Sequence, residues 1–175
     1  MIPPRLVDEA LSSAFAEFWG VVDVRREVMP LAALRSTIRS LRQERLSTAH
    51  AVLGQLLAAG VRPYEPVRHA PDVMALGVVV ESYGHTAVLL DGTNRAVAAL
   101  RHGCVEIVVT VVFPRVSKPP AADTVPLREV GVWVEEGPRK ELFRGLDEDL
   151  FRPMPEILAH AERAVLKELA EEERK

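Results

Sequence analysis

The residues best equipped for chemistry are five in a row, Asp91, Gly92, Thr93, Asn94 and Arg95. They combine a carboxylate, a glycine, two hydrogen-bonding side chains and a guanidinium. An apolar run precedes them and an alanine-rich segment follows, which predicts a strand, a tight turn and a helix N-terminus. Such a terminus carries unpaired backbone N–H groups and a partial positive charge, both of which attract anions. The pattern therefore makes this turn a candidate site for an anionic group.

The partner of Arg95 distinguishes two interpretations of this turn. A cation in the first turn of a helix has the wrong sign for the helix dipole, so we expect a negative group beside it. In one interpretation that group is a ligand phosphate, bound through charge-assisted hydrogen bonds. In the other it is Glu65 or Glu106, and Asp91 caps the helix. Asp91 also offers the oxygen ligands that Mg²⁺ prefers, so a magnesium ion beside the phosphates is a further candidate.

Patterns elsewhere in the chain predict the elements that position this turn. Apolar residues at helical spacing predict helices near 4–20, 48–60 and from 155 into the charged tail, the second capped by Ser47 or Thr48. Apolar runs bounded by turn residues predict strands near 21–28, 73–81, 86–90, 105–113 and 130–135. The run 105–113 is apolar on both faces, so we expect it inside the sheet.

The basic residues are too few and too local for a large nucleic-acid surface. The chain has 175 residues, enough for one domain with a core, and a net charge of −3. Arg35, Arg39, Arg42 and Arg45 lie in a segment that we interpret as helix or loop. If the segment is helical, the first three share a face that could contact nucleic acid, an acidic partner or nucleotide phosphates, although a solvated face is the default.

Cysteine, histidine and hydropathy patterns further narrow the classes of protein to which this chain could belong. A single cysteine, Cys104, excludes an internal disulfide framework, and the five histidines lack the spacing of a zinc site. No apolar run reaches membrane-spanning length and no signal peptide is recognisable, so we expect a cytoplasmic protein without membrane contact.

Several segments follow one another in an order that carries a family resemblance. A short segment at 28–34 precedes a helix that ends in glycine at 60, and a proline-containing extended segment at 61–67 follows. Then come Asp91-Gly92-x-x-Arg95, a helix of small residues, and Gly103-x-x-Glu106 leading into a strand. Residues 20–114 thereby resemble the ParB/sulfiredoxin-like superfamily. The resemblance implies an α/β fold with a small mixed sheet, to which helices are added at both ends.

The resemblance also implies a ligand. In this superfamily the glycine turn and its arginine hold nucleotide phosphates, which carries over to the motif from Asp91 to Arg95. The implied ligand is ATP or CTP with Mg²⁺, and the implied activity is that of a phosphotransferase or nucleotidase. The fold would bring residues 64–69 near the turn, so Arg68 becomes a candidate phosphate ligand and Glu65 a candidate general base. The alternative for Glu65 is a solvated loop carboxylate.

Two residues depart from the superfamily. Thr93 stands where sulfiredoxins have their catalytic cysteine. Thr93-Asn94 also replaces the Glu-Arg of the partitioning proteins and the two histidines of the kinase-like members. A non-catalytic regulatory or adaptor module that binds a protein or nucleic acid is therefore the alternative function. We divide the chain into an N-terminal helix (1–20), the core (21–114) and an extension (115–175), with a homodimer through the terminal helices as a further expectation.

Overall fold

The computed structural model describes residues 2–20, 22–68, 73–74, 77–113, 123–133 and 154–174. Within these ranges the chain forms four α-helices: α1 (Pro4–Trp19), α2 (Gln43–Ala58), α3 (Thr93–Arg101) and α4 (Met154–Glu172). The strands there are β1 (Asp23–Pro30), β2 (Leu34–Ser36), β3 (Ser40–Arg42), β4 (Val67–Arg68), β5 (Val73–Met74), β6 (Val78–Tyr83), β7 (Thr86–Asp91), β8 (Glu106–Phe113), β9 (Val125–Pro126) and β10 (Gly131–Trp133). The expected α/β fold class is confirmed.

Six of these strands form a mixed sheet in the order β1-β8-β6-β7-β2-β9. The pairs β6–β8 and β2–β7 are parallel, whereas β1–β8, β6–β7 and β2–β9 are antiparallel. Strand β8 lies between β1 and β6, so the apolar run was correctly placed inside the sheet. β9 and β10, both from the expected extension 115–175, pair with β2 and β3.

The sheet buries both of its faces. Because side chains alternate along a strand, Val78 and Val80 of β6 join one core with α2 and α3, whereas Val79 joins a second core with α1 and α4. The apolar stripes of the terminal helices are buried in this second core, through Val7, Leu11, Ala14 and Phe15 of α1 and Ile157, Ala161 and Val165 of α4. The two helices therefore bury their stripes within the chain.

The interpretation of residues 35–46 as helix or loop was right for residues 37–39 and 43–46 and wrong for the rest. Two short strands, β2 and β3, occupy this segment, and α2 begins at Gln43 with Arg42 at its N-cap, so neither Ser47 nor Thr48 caps it. The guanidinium of Arg35 donates to Thr124 Oγ1 at 2.7 Å, and that of Arg39 lies 3.3 Å from Asp123 Oδ2. The arginines consequently form no common helical face.

Candidate functional site

A glycine in a left-handed conformation connects β7 to α3. Gly92 has φ 89° and ψ 18° and is the N-cap residue, whereas Asp91 is the last residue of β7. A Cβ at position 92 would lie 3.0 Å from Val78 Cγ2 and 3.2 Å from Arg95 Nε. Backbone conformation and limited space therefore both favour glycine here. The expected capping role of Asp91 was wrong, because Gly92 occupies that position and no side chain caps α3.

The first amides of α3 are the principal anion-binding feature of the turn. The Ala96 N–H donates to Gly92 O at 2.9 Å, so the amides of Thr93, Asn94 and Arg95 precede the first bond of the helix and have no side-chain cap. Thr93 is buried, and the buried Asn94 Oδ1 has no hydrogen-bond partner among the described residues. Since an amide side chain can present oxygen or NH₂ by rotating, Asn94 adds to the first turn of α3 a polar side chain whose Oδ1 is unused.

Arg95 forms its ion pair with Asp91, four residues earlier. Its Nη2 donates to Asp91 Oδ2, and the two side chains are 24% and 36% exposed. The expectation that Arg95 pairs with Glu65 or Glu106 was therefore wrong. The pair supplies the negative group that a cation in the first helical turn requires, and it leaves both side chains partly accessible to a ligand.

The segment 61–66 lies beside the turn. Pro63 O accepts from Val108 N at 3.3 Å, which places the segment at the start of β8. A Cβ on Gly77, one residue before β6, would lie 2.9 Å from Tyr64 O. The buried Tyr64 hydroxyl donates to Ala49 O at 2.8 Å. Burial raises the pKa of Tyr64, and the positive charge of the nearby Arg95 opposes this rise.

Glu65 is engaged by Arg62. Arg62 donates to both carboxylate oxygens, from Nε at 3.1 Å and from Nη2 at 2.9 Å, and the Glu65 side chain is only 14% exposed. These hydrogen bonds hold the pKa of Glu65 below its ordinary value. A general base works best with a pKa near the operating pH, so this environment favours a structural role. Arg68 lies in β4, and its side chain lies outside the described part of the structure.

A third ion pair at this end of the sheet was missed in the sequence. Arg26 of β1 lies in one row with Thr110, Val79 and Asp91 across four strands, roughly 14 Å from Asp91 at the usual strand spacing. Its Nη2 lies 3.8 Å from Asp8 Oδ1 of α1. Burial lowers the pKa of Arg26 and raises that of Asp8, and each charge opposes the shift of the other. The available signal was an arginine that continues the alternation of Val22 and Val24.

The three arginines at this end of the sheet thus each have a carboxylate nearby: Arg26 with Asp8, Arg62 with Glu65, and Arg95 with Asp91. An anion here would meet balanced charges, and its attraction would come mainly from the α3 amides and from Arg95 shared with Asp91. In the described ranges no group of three or more His, Cys, Asp or Glu side chains could hold a metal ion. Among the same residues, no helix has the length and apolar composition that crossing a membrane requires.

No model of a protein family matches the chain, and no curated protein matches it. Among solved structures, the chain is similar to the crystal structure of protein Atu1540 from Agrobacterium tumefaciens, with 11% identity and a TM-score of 0.39. The match covers 81% of this chain and 91% of that one. A similarity at this level carries no argument about function.

Proposed function

We propose that this chain is a distant ParB/sulfiredoxin-like protein that binds the phosphates of a nucleoside triphosphate, ATP or CTP, at the N-terminus of α3. The observation that carries the proposal is the uncapped helix terminus behind Gly92, where a Cβ would fill the space beside Val78 and Arg95. The backbone of a glycine allows a phosphate to approach closely. Because nucleoside triphosphates and Mg²⁺ are abundant in the cytoplasm, the proposal implies a cytoplasmic protein.

Three side chains of the turn support the same ligand. Arg95 would donate to phosphate oxygens and balance their charge, and the rotatable amide of Asn94 would add a donor. Asp91 is the residue that would hold Mg²⁺, which proteins bind through one or two carboxylates together with substrate phosphates. The bound ion would neutralise phosphate charge. In the free protein Asp91 instead pairs with Arg95.

A thermal-shift screen against ATP, CTP and their diphosphates, with and without Mg²⁺, tests the proposal. A ligand at 100 times its Kd stabilises the folded state by about 2.7 kcal/mol, which is readily measured. Arg95→Ala should abolish the shift. Arg101→Ala is the matched control, because it removes an exposed arginine from the other end of the same helix. If no nucleotide stabilises the wild-type protein, the proposal is wrong.

Asp91→Asn separates the two roles of Asp91. If the carboxylate only competes with phosphate for Arg95, the substitution strengthens nucleotide binding without metal. If it holds Mg²⁺, the substitution removes the part of the affinity that depends on Mg²⁺. Titration calorimetry of wild type and variant, each with Mg²⁺ and with a chelator, distinguishes these results.

The same geometry favours a non-catalytic ligand-binding module as the second candidate function. The carboxylate of Glu65, in the segment beside the turn, is held ionised by Arg62 and is a poor proton acceptor. Nucleotide binding without turnover in the purified protein would support this function. Turnover that is lost in Arg95→Ala but retained in Arg101→Ala would support a nucleotidase instead.

A further inference from the structure

Strand β1 forms one edge of the six-stranded sheet. The Leu31 N–H donates to Val105 O at 3.0 Å, which continues the β1–β8 ladder and fixes its phase. In an antiparallel ladder the bonded pairs alternate, so the odd-numbered residues of β1 bond to β8. The N–H and C=O groups of Val24, Arg26 and Val28 therefore point away from β8. No other described strand pairs with this edge.

Exposed side chains lie on both faces of strand β1. Val28 is 43% exposed and is one of three large apolar side chains that are exposed among the described residues. Arg25 and Glu27 lie on the opposite face of the strand and carry opposite charges. Arg25 also bonds to Asp23 at 2.8 Å and stacks over the Phe113 ring at 5.1 Å, so its guanidinium is held at the strand surface.

We propose that the outer edge of β1 pairs with the same edge of a second copy of this chain, antiparallel and centred on Arg26. In this register Val24 and Val28 lie opposite Val28 and Val24 of the second copy, and three residue pairs supply six backbone hydrogen bonds. Arg25 lies opposite Glu27 of the second copy, and the reverse pair also forms. These are the closely spaced, non-hydrogen-bonded positions, where opposite charges stabilise a sheet.

The charges select this register against its neighbours. Residues paired across the two strands must have their side chains on the same face of the sheet. The two-fold axis therefore has to pass through a residue rather than between two residues. Centring on Arg25 would place Arg25 against Arg25 and Asp23 against Glu27, and centring on Glu27 would place two glutamates together. Centring on Arg26 brings two arginines together, but each has Asp8 of its own chain nearby.

The proposed pairing also accounts for the charged side chains of β1. Arg25 and Glu27 do not prevent pairing, because each lies opposite a charge of the other sign. Edge strands commonly avoid aggregation through charged side chains and proline, and β1 ends at Pro30, which lacks an N–H group. A two-fold pairing uses the same edge on both copies and closes after two, so it does not propagate into a filament. The interface is formed by β1, and Arg26 at its centre lies roughly 14 Å from Asp91 of the proposed nucleotide site at the usual strand spacing.

Sedimentation of the full chain over a range of concentrations tests the proposal through a charge exchange. The wild-type protein should form a dimer that weakens as salt rises, because the ion pairs are exposed. Arg25→Glu places like charges opposite one another, and so does Glu27→Arg. Each should raise the dimer dissociation constant by about tenfold or more. An equimolar mixture of the two variants should recover dimerisation, since their charges again oppose one another, and so should the double variant.

Two controls distinguish this edge from other contacts. Lys167→Glu changes an exposed charge on α4 and should leave the dimer unchanged. Val28→Pro removes one outward N–H group while leaving the bonds to β8 in place, and it should abolish dimerisation with the fold retained by circular dichroism. The proposal is overturned if the wild-type protein stays monomeric at all concentrations, or if its dimer persists in both single charge variants.

Discussion

Gly92 meets two separate demands, a left-handed backbone and a crowded surrounding, and a pair of substitutions can separate them. Gly103, at the other end of α3, has nearly the same φ, 88°, but a Cβ there would meet nothing within 4 Å. Gly103→Ala should therefore cost only the conformational term, about 1–2 kcal/mol. Gly92→Ala adds contacts with Val78 and Arg95 and should cost about 1–3 kcal/mol more. Urea unfolding of both variants measures the difference, and equal losses would show that crowding is unimportant.

Glu65 should give the protein part of its pH dependence. Arg62 holds the pKa of this carboxyl below its ordinary value of 4.5, so the stabilisation is present above that value and is lost as the pH falls through the folded pKa. Because the Arg62 side chain is 58% exposed, we expect Glu65→Gln to cost only about 0.5 kcal/mol at neutral pH. The difference from wild type should shrink toward zero in acid.

Unfolding curves of both proteins between neutral and acidic pH check this expectation. Glu9→Gln is a suitable comparison, since it breaks an ion pair with Arg5 in which both side chains are mostly exposed. A Glu65→Gln deficit that stays constant across the pH range would mean that the ionised carboxylate does not stabilise the fold.

At the scale of elements, sequence patterns succeeded where the signal is local. Helix α1, the β6–β7 hairpin, β8 and α4 follow from periodicity and from turn residues close to them in the chain. β2 and β3 have three residues each, too few to show a period, and their parallel partners β7 and β10 lie far along the chain. Tertiary pairing therefore decides the structure of this segment, and local propensity does not.

The candidate site likewise has parts that local sequence predicts and parts that depend on tertiary contacts. The turn at Gly92 was predictable because the glycine, the preceding apolar run and the small-residue helix are adjacent in sequence. The pairing of Arg26 with Asp8 was not, because it depends on α1 packing across β1. The Asp91–Arg95 pair, only four residues apart, was predictable from the sequence, but Asp91 was interpreted as a helix cap or a magnesium ligand.

The packing of α4 on α1 gives a prediction at this scale. Ile157 is completely buried in the second core, whereas Leu166 on the same helix is 37% exposed. Ile157→Ala should cost about 2–5 kcal/mol, and Leu166→Ala about 1 kcal/mol or less, although both remove three carbon atoms from the same helix. Chemical denaturation followed by circular dichroism measures both. Similar losses would mean that α4 does not depend on its contact with α1.

For the whole molecule, the decisive feature is that two cores share one sheet. Strand β6 contributes Val78 and Val80 to the core with α2 and α3, and Val79 to the core with α1 and α4. Neither core can lose its sheet residues without exposing the other, so we expect the layers to unfold together. Small domains with such shared packing usually unfold in one cooperative transition.

The two tryptophans of the chain allow this cooperativity to be measured. Trp19 ends α1 on one side of the sheet, and Trp133 lies in β10, which pairs with β3 rather than with the main sheet. In Trp133→Phe the fluorescence reports on α1, and in Trp19→Phe it reports on β10. In each variant the fluorescence and circular dichroism midpoints in urea should coincide, because the shared sheet couples the two positions. A fluorescence midpoint for Trp19 well below the circular dichroism midpoint would show that the terminal helices detach first, and the two cores would then be independent units.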